Sequence, residues 1–525
     1  MWKCFCETGG PIHAEIVSSL LKKKSEVNCA GMYGERMKNM AENPVKIIDL
    51  EGNQVMETLP DPFVLKYCGQ YYVYCTSKNG IKVLHSCDLF QFTYLGYALS
   101  DTGEMEFWAP CVVYFNGLFY MYYSSRRKAE EDVHKQRLKV AVSNSPTGPF
   151  DFKTILKDTF CIDADVKVQL GQKWKIWYAT NDFGQNRNVF AGTSIAEDTL
   201  ETPFSLTGRA REAIAPSEER ELFQKDRFGD GRDWYTVEAP CYYCDGKNDY
   251  LMYSGNAYTS GQYFTDYAVL NGGKWKKKAG NHRPLLSGSP GLIGTGHNSV
   301  FMGPNLLDVC VSFHGMRSLP SREGEETREM CISKLKKIEN KLTVSPRIAY
   351  LPSKPDCLCL IKEDDFDPSG WDSLSGRWEQ SGVELLQASK TQNAALLSKE
   401  VFDSFVAEVS TKLQCYSGCG CAGFYVCYSD HENYVMVLTD QKNKCIQIKK
   451  VQAGSISIQR LWTPQVDFME FQTLRIQKKG REISVWLSGC CIGWTETSLL
   501  SGRVGLCTEG TAAVFAGLAV QKLPQ

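Results

Sequence analysis

The chain has 525 residues, of which 43% are hydrophobic and 23% are charged, the composition of a globular protein with ample apolar surface for a core. Lysine and arginine together number 59 and aspartate and glutamate 60, and this balance argues against nucleic acid or an anionic membrane as a partner. No apolar run reaches the length of about 18 residues that a membrane-spanning helix needs. Aromatic residues make up 12% of the chain and glycine occurs 44 times, which favours strands and turns.

The first 50 residues are predicted to form an N-terminal extension. A secretory signal has an apolar core of about 7–15 residues, and the opening segment Met1–Gly10 has none. We therefore predict a cytoplasmic protein with reduced thiols, the alternatives being a leader outside this sequence or non-classical export. The amphipathic stretch Ile12–Leu21 predicts a short helix that packs on the following domain.

The cysteines give no clear metal signal. There are 22 of them, and the closest groups are Cys241 with Cys244 and the run Cys415, Cys419 and Cys421. A structural zinc site needs four ligands in paired spacing, which these groups lack. We therefore predict free thiols rather than zinc ligands.

A repeated unit occupies residues 51–350. Five times, a residue that begins a strand is followed 10–12 residues later by an aromatic-rich strand, across a turn such as Cys68–Gln70. Five units of about four strands predict a five-bladed β-propeller, in which the first strand of each blade lies nearest the axis. The starting residues are therefore expected at equivalent positions around one mouth of the channel; they are Asp61, Trp108, Asp163, Glu238 and His297.

The segments around these residues resemble the blade motifs of glycoside hydrolase family 43, the arabinanase, arabinofuranosidase and β-xylosidase propellers. The matching segments are Leu59–Pro62, Phe107–Pro110, Ile162–Val166, Val237–Pro240 and Gly294–Val300. The resemblance implies an inverting O-glycoside hydrolase, a β-xylosidase or α-L-arabinofuranosidase, acting from the end of arabinose- or xylose-containing oligosaccharides. An endo-arabinanase and a galactan exo-hydrolase remain open.

The same resemblance implies a role for each residue. Asp61 is expected to be the general base and Glu238 the general acid, while the negative charge of Asp163 is expected to raise the pKa of Glu238. Inversion requires the carboxyls of Asp61 and Glu238 to lie about 6.5–9.5 Å apart, which leaves room for water. The expected substrate-binding residues are Trp108, His297 and Arg328.

No cofactor is required by the resemblance, which allows a calcium or similar ion in the channel, held by His297 largely through water. A lone histidine without a set of carboxylate ligands is a weak metal signal. From a different functional class, a catalytically inactive, lectin-like sugar-binding propeller remains the alternative. The sequence does not predict the oligomeric state.

The rest of the chain is predicted to form a second β domain. The third propeller unit is the longest, and its additional residues 216–233 are expected to cover the pocket and set specificity. A proline-bearing linker is expected over residues 351–365. Residues 366–525 alternate apolar and polar positions in short strands, which predicts a β-sandwich. Its opening, with Phe366, Trp371 and Trp378, is similar to the jelly-roll, concanavalin-like sandwiches appended to family-43 enzymes, which implies that it buttresses the propeller. The sequence shows no clear platform of surface aromatic residues.

Overall fold

A computed structural model describes residues 43–525 apart from positions 56, 279–281, 322–326, 356–358, 361–366, 391, 415–419 and 525. The helix predicted over Ile12–Leu21 lies outside the described residues, as do Cys415 and Cys419. Within the described ranges the structure is almost entirely β, and the helical segments are two 3-10 turns, Glu219–Glu221 and Pro368–Gly370. None of the helices found there is long and apolar enough to cross a membrane.

The first part of the chain is a five-bladed β-propeller, as predicted. Blade one comprises β1 (Ile47–Ile48), β2 (Phe63–Tyr67), β3 (Gln70–Cys75), β4 (Ile81–Ser86) and β5 (Phe92–Leu99). Blade two comprises β6 (Glu104–Phe115), β7 (Leu118–Arg127), β8 (Arg137–Ser143) and β9 (Asp151–Lys157). Blade three comprises β10 (Cys161–Lys167), β11 (Lys175–Thr180), β12 (Gly192–Thr202), β13 (Ser205–Leu206) and β14 (Arg211–Ile214).

The last two blades follow the same plan. A short strand, β15 (Leu222–Gln224), pairs with the first strand of blade four. Blade four comprises β16 (Trp234–Cys244), β17 (Asp249–Gly255), β18 (Phe264–Asn271) and β19 (Lys274–Lys277). Blade five comprises β20 (Ile293–Met302), β21 (Val309–Met316), β22 (Glu329–Ile338) and β23 (Lys341–Thr343). A parallel pairing of β12 with β16 joins the sheets of blades three and four.

Aromatic side chains of the second strands fill the spaces between blades. The repeat places several large rings on these strands, and the structure buries them almost completely. The largest of these buried rings are Tyr71, Tyr74, Phe119, Tyr122, Trp177, Tyr178, Tyr250, Tyr253 and Phe313. Their burial stabilises the contact between neighbouring sheets, at roughly 1.5–3 kcal/mol for each large apolar side chain. The aromatic share of the sequence is thus used chiefly for packing between blades.

A left-handed residue lies in or just before each innermost strand. The φ angles are 55° at Asp61, 45° at Ala109, 58° at Asp163, 53° at Ala239 and 53° at His297. In blades two to five the pairing of the first two strands skips residues at this point, which marks a β-bulge.

The five starting residues do not occupy the equivalent positions that were expected, because they differ in their place relative to the left-handed residue. Asp61, Asp163 and His297 occupy the left-handed position, whereas Trp108 and Glu238 come one residue before it. On a regular strand, consecutive side chains point to opposite faces. The bulge re-aims them, and side chains from both positions line one cavity.

The C-terminal region is a β-sandwich, as predicted. Its first sheet has the strands β24 (Cys359–Leu360), β26 (Trp378–Ser381), β27 (Glu384–Gln387), β29 (Phe405–Leu413), β34 (Gln472–Lys479), β35 (Glu482–Leu487), β36 (Cys490–Glu496) and β38 (Ala513–Lys522). Its second sheet has β25 (Trp371–Ser375), β28 (Ala394–Phe402), β30 (Cys421–Asp430), β31 (Asn433–Asp440), β32 (Cys445–Gln452), β33 (Ser455–Trp462) and β37 (Gly502–Glu509). One apolar core contains side chains of both sheets.

The first sheet of the sandwich lies on the propeller. In β29, Phe405 and Ala407 belong to the sandwich core, whereas Val406 packs with Leu306 of the propeller. The next outward residue, Glu408, forms an ion pair with Lys66 of blade one. Alternation along one strand therefore supplies both the core and the contact between domains.

Asn116 connects a propeller turn to the sandwich through hydrogen bonds. Its amide nitrogen donates a 2.7 Å hydrogen bond to the carbonyl of Gln465, and its side-chain oxygen accepts one of 3.0 Å from the backbone N–H of Asp467. These contacts agree with the buttress expected from the sequence. The domain boundaries themselves stay predictions, and the predicted linker contains β24, which pairs with β38.

Two tryptophans of the sandwich are exposed to solvent, although the sequence shows no clear platform of surface aromatic residues. Trp462 on β33 is 68% exposed and Trp494 on β36 is 61% exposed. Periodicity does not distinguish them from core residues, because both strands lie at sheet edges where either face can meet solvent.

Gly517 offers a test of the contact between domains. Its φ is +61°, and an added Cβ would lie 2.5 Å from backbone atoms of Cys68 and Gly69. We expect Gly517→Ala to destabilise the protein by about 3 kcal/mol, because a left-handed strain of about 1–2 kcal/mol adds to a clash with fixed backbone. Urea unfolding measures the loss.

Gly454→Ala is the matched control for this substitution. Gly454 also has a left-handed φ, of +73°, but no atom lies within 4 Å of its added Cβ. We expect it to lose only about 1 kcal/mol. Equal losses in the two variants would contradict the close contact at Gly517.

Candidate active site

An open cavity of about 670 Å³ lies where the innermost strands begin. The structure brings together in its wall all six residues that the sequence analysis singled out. These residues are Asp61, Trp108, Asp163, Glu238, His297 and Arg328. They are separated by up to 267 residues along the chain, so their meeting depends on the closed ring of blades.

Asp61 is a buried carboxylate with several donors around it. Arg328 Nη1 and His297 Nδ1 each lie 3.2 Å from its Oδ1. Thr76 donates a 2.6 Å hydrogen bond to Oδ2. Burial opposes ionisation, but His297, Arg328 and His314 together outweigh it and hold the pKa of Asp61 well below its usual range. Asp61 is therefore ionised at any pH near neutral.

His314 contacts the same aspartate from blade five. Its Nδ1 lies 3.1 Å from Asp61 Oδ1 and accepts the Asp61 backbone N–H at 3.2 Å. Burial lowers the pKa of His314 to about 4, despite the opposing effect of Asp61, and burial likewise lowers the pKa of His297. Both imidazoles are therefore neutral near pH 7.

Glu238 has a raised pKa, in contrast to Asp61. Burial raises its pKa to about 7, a hydrogen bond from Tyr263 opposes this effect, and the charge of Asp61 adds to it. The Tyr263 hydroxyl donates to Glu238 Oε1 at 2.8 Å. Glu238 is therefore largely protonated below neutral pH, unlike Asp61.

Asp163 is coupled to Glu238. Its Oδ2 accepts a 3.0 Å hydrogen bond from the backbone N–H of Ala239, the residue after Glu238. Burial raises the pKa of Asp163 well above its usual range, and the charges of Glu238 and Asp61 add to this rise. The raised pKa of Glu238 is thus due first to burial, and not, as expected from the sequence, to the charge of Asp163.

Trp108 and Arg328 stand at the cavity wall with fixed orientations. The indole N–H of Trp108 donates a 3.2 Å hydrogen bond to Glu106. The guanidinium of Arg328 lies 4.8 Å from the centre of the Tyr258 ring, as well as against Asp61. Its Nε is buried without a hydrogen-bond partner among the described residues. Both side chains are thus held before any ligand arrives.

The expectation of a calcium ion held by His297 largely through water stays a prediction. A chamber of about 20 Å³, enough for about one water, is lined by His297, Asn298 and the three aspartates Asp61, Asp163 and Asp165. Yet within the described ranges no group of three His, Cys, Asp or Glu side chains is arranged to hold a metal ion. Directly coordinated metal does not fit, and the metal role of His297 stays a prediction.

The long third unit reaches the active-site region. Its Arg227 contacts His134 Nε2, from the loop after β7, at 2.6 Å, and its guanidinium lies 4.5 Å from the ring centre of Phe223. The positive charge of Arg227 acts on the carboxyl of Glu238. The neighbouring Val133 lines the cavity. Residues 216–233 thus form a contact across blades near Glu238.

Sequence reasoning missed Thr76, Tyr263 and His314. Thr76 and His314 follow the aromatic runs of their second strands, and Ser254 has the same position in blade four. A polar residue that recurs at this position could have indicated both from the sequence. Tyr263 lies in the connection before β18, and no pattern marks it. Its place becomes visible only through its contacts.

The comparison with protein families decides the identity of the propeller. The model described as "Glycosyl hydrolases family 43" matches residues 52–340, more than half of the chain. The chain belongs to glycosyl hydrolase family 43. A family-43 protein acts on glycosidic bonds, so its substrate is an oligosaccharide or polysaccharide. Among curated proteins, none matches the chain.

Solved structures of the family resemble the chain. One is a thermostable family-43 glycoside hydrolase, with 30% identity and a TM-score of 0.51, covering 60% of this chain and 99% of its own. An endo-1,4-β-xylanase from Bacteroides thetaiotaomicron has 26% identity and a TM-score of 0.45, covering 56% of this chain and 98% of its own. A xylan β-1,4-xylosidase from Bacillus halodurans has 16% identity and a TM-score of 0.45, covering 92% of this chain and 100% of its own.

Thr76 allows the network around Asp61 to be tested without assuming catalysis. Its hydroxyl donates to Asp61 and accepts the backbone N–H of Ala109 at 2.8 Å. We expect Thr76→Val to cost about 3 kcal/mol of unfolding free energy, because it leaves a buried carboxylate and a backbone N–H without this partner. Thr76→Ser keeps the hydroxyl and should lose less than about 1 kcal/mol. A Val variant as stable as the Ser variant in urea unfolding would contradict the network.

Proposed function

We propose that this family-43 protein is an inverting glycosidase that cleaves arabinose- or xylose-containing oligosaccharides from one end. The observation that carries the proposal is the difference in pKa between two carboxyls of one cavity. Asp61 is held ionised, while Glu238 keeps its proton near neutral pH. Divergent proton affinities in a carboxyl pair are typical of a base and an acid that work together.

Asp61 acts as the general base in this proposal. It accepts a proton from a water molecule as the water oxygen attacks the anomeric carbon, on the side of the sugar opposite the leaving group. Arg328 and Thr76 fix the orientation of its two oxygens. Attack from the opposite side inverts the configuration at the anomeric carbon.

Glu238 acts as the general acid. It gives its proton to the glycosidic oxygen as the bond to the anomeric carbon breaks, so that the leaving sugar departs with a neutral hydroxyl. After the reaction Asp61 holds a proton and Glu238 does not, and exchange with solvent restores both. Asp163 accepts the N–H of Ala239 and so fixes the backbone next to the acid.

The surroundings of the cavity support an uncharged substrate taken by its end. The resemblance of the five blade motifs supports a pentose substrate, and Trp108 offers an aromatic face on which a sugar ring can stack. Arg227 contacts His134, whose neighbour Val133 lines the cavity. We infer that this contact bounds the cavity on one side, which favours release of one sugar from the chain end over cleavage within the chain.

A leaving-group comparison tests the assignment of the acid and the base. We expect Glu238→Gln to lose about 10²–10⁴-fold in kcat/KM on pentose oligosaccharides, because no side chain then protonates the leaving oxygen. On a dinitrophenyl pentoside, whose leaving group needs no proton, the same variant should lose far less. Asp61→Asn should lose activity on both substrates. Proton NMR of the first product should show inverted anomeric configuration.

The contrary outcomes are distinct. Retained configuration would exclude Asp61 as a base acting on water. Equal losses for Glu238→Gln on the two substrates would exclude its role as the acid. Binding of sugars without hydrolysis of any arabinoside, xyloside or galactoside by the wild type would favour the lectin-like alternative.

The pH dependence follows from the same two groups. We expect kcat/KM to fall as pH rises through about 7, because Glu238 then loses the proton that it must donate. On the acidic side activity should persist below the usual pKa of aspartate, since Asp61 stays ionised there. Arg328→Met should move this acidic limb to higher pH, because Arg328 favours the ionised form of Asp61. Arg317→Met, which removes an exposed arginine paired with Glu329, should leave the limb in place, and a limb unmoved in Arg328→Met would contradict the assignment.

A further inference from the structure

Tyr263 links the two carboxyls of the candidate active site, although no sequence pattern points to it. The side chain is 1% exposed, and its hydroxyl donates to Glu238 Oε1 at 2.8 Å. This bond occupies one carboxyl oxygen of Glu238. The second oxygen, Oε2, is the one that remains to carry the proton in the proposed reaction.

The ring of Tyr263 is held on both sides. One face stacks on His314, with ring centres 5.6 Å apart and planes within 1° of each other. At Gly296 in β20, an added Cβ would overlap the Tyr263 ring, so the absence of a side chain there gives the ring its place. A ring confined in this way fixes the position of its hydroxyl.

The stack continues to the base. His314 Nδ1 lies 3.1 Å from Asp61 Oδ1. The acid and the base are therefore joined by one chain of contacts, which runs from Glu238 through Tyr263 and His314 to Asp61. Its members come from blades one, four and five and from the connection before β18.

We propose that Tyr263 is a positioning residue for the general acid, which orients Glu238 through its hydroxyl and fixes the acid relative to Asp61 through its stack on His314. This inference rests on the proposed function, in which Glu238 is the acid. Tyr263 lines the same cavity, but in this proposal it acts through Glu238 and donates no proton to the substrate.

The hydrogen bond has a consequence that a purely structural tyrosine would not have. A donor to a carboxylate stabilises its ionised form and so lowers its pKa. In Glu238 this effect opposes burial, which by itself raises the pKa further. The position of the alkaline limb of activity therefore reports directly on the Tyr263 hydroxyl.

Tyr263→Phe tests the inference, because it removes the hydroxyl and keeps the ring in its stack. We expect the alkaline limb of kcat/KM to move up by roughly one pH unit, the scale set by one hydrogen bond to a charged group. We also expect kcat on oligosaccharides to fall about 10-fold and kcat on a dinitrophenyl pentoside to fall less, since only the first reaction needs a well-placed proton.

Two further variants serve as controls for the test. Tyr122→Phe removes a buried hydroxyl that donates to the carbonyl of Pro203 in the propeller, away from the cavity, and should leave the limb unmoved. Site-specific replacement of Tyr263 by difluorotyrosine keeps the shape, so folding is preserved, but strengthens the donor. It should move the limb to lower pH, opposite to Tyr263→Phe.

The results separate this inference from the function on which it rests. An alkaline limb that stays in place in both Tyr263 variants overturns the positioning role, even if Glu238→Gln shows the expected dependence on the leaving group. If Glu238→Gln shows no such dependence, the proposed function itself fails, whatever the Tyr263 variants do.

Discussion

The left-handed residue in or just before each innermost strand is the constraint on which the active-site cavity depends. A non-glycine residue in this conformation costs about 1–2 kcal/mol, and the propeller offsets the cost by capturing its backbone N–H. The N–H of Asp61 is bonded to His314, that of Ala109 to Thr76, and that of His297 to Ser254, each acceptor lying in the preceding blade. The bulges that result turn side chains of two successive positions towards one mouth of the channel. Without them, Glu238 and Asp163 would not both line the cavity.

Because of the same geometry, the active site is complete only when the ring of blades is closed. Blade five meets blade one where Ser299 and Ser312 donate to the carbonyl of Pro62, next to Asp61. Arg328 reaches Asp61 from the strand end of blade five across this junction. A base that is oriented by residues of the last blade can be complete only when the last blade has docked on the first. The propeller therefore positions Asp61 more firmly than any single hairpin could.

The chemistry of the site rests on separating two carboxyls that share one cavity. Burial alone would raise the pKa of both. Asp61 escapes this rise because Arg328 and two imidazoles surround it, whereas Glu238 has chiefly the Tyr263 hydroxyl and more distant arginines to oppose burial. Of the proposed base and acid, Asp61 is thus the one that is ionised near neutral pH and Glu238 the one that keeps its proton. The stack of Tyr263 on His314 then connects the two environments.

The sequence by itself determined the all-β class and the five blades, because hairpin turns, alternation and aromatic second strands are local patterns that repeat at readable distances. The family was indicated by the resemblance of the five blade-start motifs to family 43. The sequence also pointed to Asp61, Asp163 and Glu238, since each lies in a short motif at a blade start. Only the tertiary structure decided the partners of these residues. The one-residue offset of Glu238, the acceptor role of Thr76 and the links through His314 and Tyr263 arise from bulges and from contacts between blades. Such contacts join residues far apart in the chain, and their free energies depend on burial and distance, which no local pattern encodes.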